Sequence, residues 1–168
     1  MRKGRSGDLF KSQEPKEYLF DTSAWASIKH KPNADEILAA IFKLIEQGRL
    51  FTCARVLGEL RPDPIYSKVN KHRRALLAQD GRLSDVEFLQ TVGKITHDHP
   101  NLCKARSHKE PADPYVLAVA LLEEYIVVAD ESGKRKSRKI PGVCEKLGIS
   151  CMTLDEFVAA ETWRANGE

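Results

Sequence analysis

Two short apolar runs, each leading into acidic residues, most constrain the fold of this chain. Residues 18–20 (Tyr-Leu-Phe) run directly into Asp21, and residues 125–129 run directly into Asp130 and Glu131. Short, continuous apolar runs are typical of strands that are buried on both faces of a parallel sheet. Carboxylates at the carboxyl ends of such strands point into the crevice where open α/β sheets bind ligands. The pattern therefore predicts a buried parallel sheet with acidic groups at its ligand-binding edge.

Strand-like and helical segments alternate along the rest of the chain. Two further strands are predicted at residues 50–53 and 149–153. Helices are predicted at residues 22–30, from a cap at Asn33 to a stop at Gly48, around Glu59 up to Arg61, and at residues 63–79, 84–97, 113–124, 141–147 and from about 154. Strands alternating with helices indicate an α/β fold whose central parallel sheet is covered on both faces, that is, a three-layer α/β/α sandwich.

Length and composition point to one cytoplasmic domain. A chain of 168 residues with 42% hydrophobic and 30% charged residues is ordinary for a globular domain. No apolar stretch approaches the roughly 20 residues needed to cross a bilayer, and the N-terminal residues lack the apolar segment of a signal peptide. We therefore expect no membrane partner, a flexible basic tail at residues 1–16 and a single domain at residues 17–165.

Two more acids complete the acidic set. Glu59 lies in a predicted helix, and Asp113 opens another. Each acid also has a structural explanation: Asp21 and Asp113 as helix caps, Asp130 or Glu131 as turn residues, and Glu59 as an exposed helix residue. Carboxylates that converge on one edge repel one another unless they share a proton or a cation. Because hard divalent ions take oxygen ligands, such a convergence predicts a metal site.

The order and spacing of these acids resemble those of the PIN-domain nucleases, the class that includes the VapC-type toxins of toxin–antitoxin systems. The matching stretches are residues 18–23, 56–60, 111–120 and 127–131. Residues 139–148 and 151–154 are similar to a PIN-like subgroup of unassigned function. The resemblance covers about residues 17–158 and implies a PIN-like fold.

The resemblance also implies a catalytic and metal-binding site. Its members are Asp21, Glu59, Asp113 and either Glu131 or Asp130, which together would hold Mg²⁺ or Mn²⁺. PIN proteins commonly end the strand before the fourth ligand with Thr-x-Asp, whereas this chain has Ala129, Asp130 and Glu131. Glu131 matches that register and Asp130 is the same residue type one position early. Since consecutive residues leaving a strand diverge in direction, one of them faces the metal, and Glu131 is favoured.

A metal-dependent endoribonuclease that hydrolyses RNA phosphodiester bonds is the function implied by the resemblance, with the toxin of a toxin–antitoxin pair as one setting. RNA, a small antitoxin protein and a second copy of the chain are the implied partners. Ser23 would lie near the metal or the phosphate. The basic residues that would steer and hold the RNA backbone are Lys134, Arg135, Lys136 and Arg138, in a run that ends at Lys139.

Alternative interpretations concern both the basic run and the activity. A run of charges is also typical of a solvated surface loop. The altered strand ending at Ala129 favours a second function, a catalytically weak PIN-like module that binds RNA or a protein without a metal. Aromatic residues are scattered along the sequence, so it predicts no stacking platform for single-stranded nucleic acid.

Overall fold

A four-stranded, all-parallel sheet forms the centre of the domain. The computed structural model describes residues 14–77, 84–103, 111–131 and 139–165, with side chains as far as Glu161. The strands are β1 (Tyr18–Phe20), β2 (Leu50–Phe51), β3 (Ile126–Val128) and β4 (Cys151–Met152), and their order in the sheet is β2-β1-β3-β4. All four lie within the ranges predicted from the sequence.

Helices flank this sheet, so the predicted three-layer α/β/α sandwich is confirmed. The helices are α1 (Thr22–Ser27), α2 (Ala34–Glu46), α3 (Ala54–Glu59), α4 (Tyr66–Val69), α5 (Arg73–Leu76), α6 (Asp85–Asp98), α7 (Asp113–Glu123), α8 (Ile140–Leu147) and α9 (Leu154–Ala165). Short 3₁₀ turns at Ile28–His30, Asn70–His72 and Pro100–Cys103 follow α1, α4 and α6. Within the described ranges, no helix is both long enough and apolar enough to cross a bilayer.

Two helix predictions need correction. The helix predicted at residues 63–79 is divided into α4 and α5, and it starts late because the Asp63 side chain accepts a hydrogen bond from the Ile65 N–H (3.0 Å), which fixes a turn before Tyr66. Asn33 occupies the cap position of α2, but its side chain makes no capping hydrogen bond. The predicted stop at Gly48 is confirmed, since Gly48 has a φ of +66°, a conformation that glycine adopts without strain.

The sheet topology brings two acidic strand ends side by side. β1 lies between β2 and β3, and Phe20 is in register with Val128. The Asp21 N–H continues this pairing by donating to the Val128 carbonyl at 3.0 Å. Because the chain leaves β1 toward β2 on one side and later returns to β3 on the other, the carboxyl ends of β1 and β3 border the crevice at a topological switch point.

A buried polar network attaches the C-terminal helix to the other end of β1. The Tyr18 hydroxyl donates to Glu161 Oε1 at 2.6 Å, and Arg49 Nη2 donates to the same atom at 2.9 Å. The side chains of Arg49 and Glu161 are only 14% and 8% exposed. Together with the fully buried strand residues of β1, this network fixes the sheet that positions the acidic edge.

Some of the predicted segments lie outside the described residues. Residues 14–17 precede β1 without regular secondary structure, and the rest of the predicted basic tail, residues 1–13, is not described. Four basic residues proposed to contact RNA also fall outside the described ranges: Lys134, Arg135, Lys136 and Arg138. Their predicted role stays a prediction.

Candidate active site at the carboxyl edge of the sheet

Asp21 is the most deeply buried acid of the site, with 2% of its surface exposed. It caps α1: its Oδ2 accepts hydrogen bonds from the Ser23 N–H at 3.2 Å and from the Ser23 hydroxyl at 2.8 Å. Its Oδ1 is buried and has no hydrogen-bond partner among the described residues. Burial raises the pKa of Asp21, the Ser23 hydrogen bonds oppose this, and the charge of Glu59 raises it further. The capping explanation therefore accounts for one oxygen of Asp21 and leaves the other unexplained.

Ser23 joins the ends of the two central strands. Its hydroxyl donates to Asp21 and accepts a hydrogen bond at 3.0 Å from the backbone N–H of Asp130. The contact with Asp130 links the start of α1 to the residues that follow β3. Ser23 thus orients Asp21, and its predicted contact with a metal or a phosphate stays a prediction.

Glu59 is the last residue of α3 and is held at both carboxylate oxygens. Its Oε2 accepts a short hydrogen bond from the Thr22 hydroxyl, and its Oε1 accepts one from the Ala112 N–H at 2.9 Å. Ala112 is the cap residue of α7, where the backbone N–H groups have no partner inside the helix. Sequence reasoning missed Thr22 and Ala112 as supports of the site, although a hydroxyl directly after Asp21 was a visible sign of the first.

Asp113 lies in the first turn of α7 and does not cap it. The Ala112 carbonyl accepts from the N–H groups of Tyr115 (2.9 Å) and Val116 (3.0 Å), so helical hydrogen bonding begins at Ala112 and the capping explanation for Asp113 is wrong. Burial raises the pKa of Asp113 to about 8, and the charges of other site acids add to this shift. Those acids are, in decreasing order of effect, Asp21, Glu131 and Glu59. These mutual effects place the four carboxyl groups in one electrostatic neighbourhood.

Glu131 interacts with Asp21 and Lys139, whereas Asp130 acts on Lys31. Burial and the charge of Asp21 raise the pKa of Glu131, and the nearby Lys139 lowers it. Glu131 Oε2 is buried and has no hydrogen-bond partner within the described part of the chain. The pKa of Lys31, by contrast, is raised by its hydrogen bond to Asp155 and further by the charge of Asp130. The electrostatic effects thus connect Glu131 to Asp21 and Asp113, and Asp130 to Lys31. Which of the two acids would contact a metal stays a prediction.

The donor set fits a hard divalent cation in chemistry but is not gathered into a ready-made ligand cluster. All four side chains offer carboxylate oxygens, the ligands that Mg²⁺ and Mn²⁺ prefer, and two of these oxygens are buried without a hydrogen-bond partner among the residues that the structure describes. As the side chains stand, no three Asp, Glu, His or Cys groups in the described ranges lie close enough together to hold a metal ion. A cation would have to draw them together, and it would offset the repulsion that raises their pKa values. The predicted Mg²⁺ or Mn²⁺ stays a prediction.

Comparison with known proteins assigns a family but no activity. The chain matches, over residues 18–165, the model of a family described as a domain of unknown function, DUF4411. The chain belongs to the DUF4411 family. The matched range contains every acid of the site, while the family's description names no reaction, ligand or partner. No match to the chain is found among curated proteins. The resemblance to PIN-domain nucleases therefore stays a prediction.

Proposed function

We propose that this DUF4411 domain is a cytoplasmic, metal-dependent endoribonuclease of the PIN-domain type, which hydrolyses RNA phosphodiester bonds. One observation carries the proposal: four carboxyl groups from separate stretches of the chain are near enough, at the carboxyl edge of the sheet, for their charges to act on one another. Burial and the charges of neighbouring acids raise the pKa values of Asp21, Asp113 and Glu131, which destabilises the metal-free fold near neutral pH, and a bound cation would offset this cost. Perturbed carboxyl groups in a crevice are typical of functional sites.

The proposed roles follow from the contacts. Asp21 Oδ1 and Glu131 Oε2 are the buried site oxygens that lack a hydrogen-bond partner in the described part of the chain, and together with Asp113 they would hold the cation. Ser23 fixes the rotation of Asp21, and the Thr22 hydroxyl and Ala112 N–H fix that of Glu59. When bound at such a site, Mg²⁺ or Mn²⁺ lowers the pKa of a coordinated water and offsets charge on the phosphate in the transition state.

The proposed partners are RNA and, in the toxin setting, a small antitoxin protein. Lys139, the described end of the basic run, is close enough to lower the pKa of Glu131, so this lysine could contact the RNA backbone beside the acidic edge. An antitoxin could mask this edge by placing an Arg or Lys among the carboxylates, whose mutual repulsion favours any added cation. A homodimer is the further assembly that the PIN resemblance implies.

A second candidate function is a PIN-like module that binds RNA or protein without catalysis. The observation that favours it is the absence, among the described residues, of three acids already gathered around a common point. Ala129 in place of the threonine common in PIN nucleases points the same way. This function requires binding that persists in EDTA and survives the loss of single carboxylates.

The test is a cleavage assay on a mixed set of labelled RNAs that includes tRNA. Wild-type protein and an Asp21→Asn variant, purified identically, are incubated with Mg²⁺, with Mn²⁺ or with EDTA. The nuclease proposal predicts cleavage by wild type only, and only with metal. Equal cleavage by both proteins would reveal a contaminating ribonuclease, and no cleavage by either with any metal would favour the binding module.

A further inference from the structure

A separate cavity of about 270 Å³ lies between α3, α6 and α7. Its lining includes Cys53, Arg55, Asp85, Phe88 and Tyr115. The volume is slightly below the range of about 300–1,000 Å³ that is usual for pockets that bind drug-sized ligands, so it suits a single small ring system. The cavity is distinct from the acidic edge, because none of the four site acids lines it.

Planar groups meet at this cavity. The Arg55 guanidinium carbon lies 4.7 Å from the centroid of the Tyr115 ring, and its Nη2 donates to the Tyr115 hydroxyl at 3.3 Å. The Phe88 ring is tilted by 57° to the Tyr115 ring, with 5.9 Å between centroids. Nucleobases unstacked from their neighbours bind on aromatic rings and on Arg planes of this kind. The fold gathers these residues from distant parts of the chain, a meeting that the scattered aromatic residues of the sequence do not indicate.

The charges at the cavity favour a base over a phosphate. Arg55 supplies one positive charge, but its guanidinium already lies over Tyr115, and Asp85 adds a carboxylate to the lining. A carboxylate repels a phosphate, whereas it accepts hydrogen bonds from the amino group of a base such as cytosine. A neutral, planar heterocycle with an amino group complements this combination.

The cavity and the acidic edge share two helices. Arg55 and Glu59 are four residues apart on α3, a spacing that places them on the same helix face. Tyr115 and Asp113 both lie in the first turn of α7. We propose that the cavity binds one amino-bearing nucleobase of a single-stranded RNA whose backbone crosses the acidic edge. This inference rests on the proposed function, since that function supplies the RNA.

The test measures base recognition separately from cleavage. In an Asp21→Asn background with Mg²⁺, the affinity for a short labelled oligocytidylate is compared with that for an abasic RNA backbone of the same length. One stacked base predicts a preference of about 5- to 150-fold for the oligocytidylate. Phe88→Ala should abolish the preference, and Arg55→Lys, which keeps the charge and removes the plane, should reduce it. The matched control is Leu89→Ala on the same helix, since Leu89 is 59% exposed and does not line the cavity.

Unchanged affinity of each variant for the abasic strand shows that the variant is folded and keeps its backbone contacts. Equal affinity of the parent for both strands, no binding of either strand, or equal effects of Phe88→Ala and Leu89→Ala would overturn the inference. A base preference that depends on Phe88, in a protein whose wild type cleaves no RNA, would support the cavity and overturn the nuclease. Metal-dependent cleavage without a base preference would support the nuclease and overturn the proposed base-binding cavity.

Discussion

The raised pKa of Asp113 makes the metal-free protein less stable as pH rises. Its carboxyl group titrates at about 8 in the folded protein and at about 3.9 when unfolded. The contribution of protonated Asp113 to the free energy of unfolding is thus fully present below pH 4. It is lost as pH rises to about 8, at about 1.4 kcal/mol per pH unit. From pH 6 to pH 8 the loss due to Asp113 alone is about 2 kcal/mol, once partial ionisation near pH 8 is included. Asp21 and Glu131 act in the same direction.

This loss should appear in the melting temperature. For a domain of this size, 2 kcal/mol corresponds to a fall of roughly 4–8 °C between pH 6 and pH 8 in EDTA. Asp113→Asn should reduce the fall in melting temperature between the two pH values, because Asn does not ionise. Mg²⁺ should raise the melting temperature of wild type more at pH 8 than at pH 6. The matched control is Asp35→Asn, since the Asp35 side chain is 96% exposed.

Differential scanning calorimetry at the two pH values, with EDTA and with Mg²⁺, makes the measurement. If the melting temperature of the Asp113→Asn variant falls between pH 6 and pH 8 by as much as that of wild type, the Asp113 carboxyl group is not the cause of the fall. A wild-type melting temperature that rises from pH 6 to pH 8 in EDTA would refute the electrostatic description of the whole site.

Two further predictions concern the scaffold. Glu161→Gln removes the charge that pairs with the largely buried Arg49. The substitution should therefore lower the free energy of unfolding, measured by urea titration, by about 3–5 kcal/mol. A loss below about 1 kcal/mol would show that solvent screens the ion pair. Gly148→Ala should lower the free energy of unfolding by about 1 kcal/mol, because Gly148 ends α8 with a φ of +69°. Gly93→Ala should instead raise it by about 0.5–1 kcal/mol, because Gly93 lies inside α6 and, apart from its chain neighbours and the helix backbone, no described atom lies within 4 Å of an added Cβ. Equal effects at the two glycines would contradict the conformational argument.

The acidic edge was predictable because it depends on local patterns. The apolar runs that become β1 and β3 are continuous, so they specify buried strands, and the acids that follow them must emerge at the carboxyl edge. α7 was predictable because an acid and Pro114 precede a long apolar stretch. These signals lie within a few residues of the positions that they determine.

Other parts of the site depend on contacts between distant segments. The sequence pattern leaves open whether Asp130 or Glu131 interacts with the other acids, because both directly follow the predicted strand. In the structure, the charge of Asp21 acts on Glu131 and the charge of Asp130 acts on Lys31. The support of Glu59 by the Ala112 N–H joins residues 53 positions apart. The cavity is lined by Arg55, Phe88 and Tyr115 from three helices, and hydrophobic periodicity within one segment does not predict contacts between segments.

In the proposed site, Glu131 belongs to one cation-binding set with Asp21 and Asp113, while its neighbour Asp130 does not. The most direct measurement compares metal-dependent RNA cleavage by two variants at adjacent positions, Glu131→Gln and Asp130→Asn, at a fixed Mg²⁺ concentration. We expect Glu131→Gln to reduce the rate by more than the roughly 10- to 100-fold typical of groups that only support a ligand, and Asp130→Asn to cleave at nearly the wild-type rate. The opposite order, or equal rates for the two variants, would contradict the assignment of Glu131 to the cation-binding set.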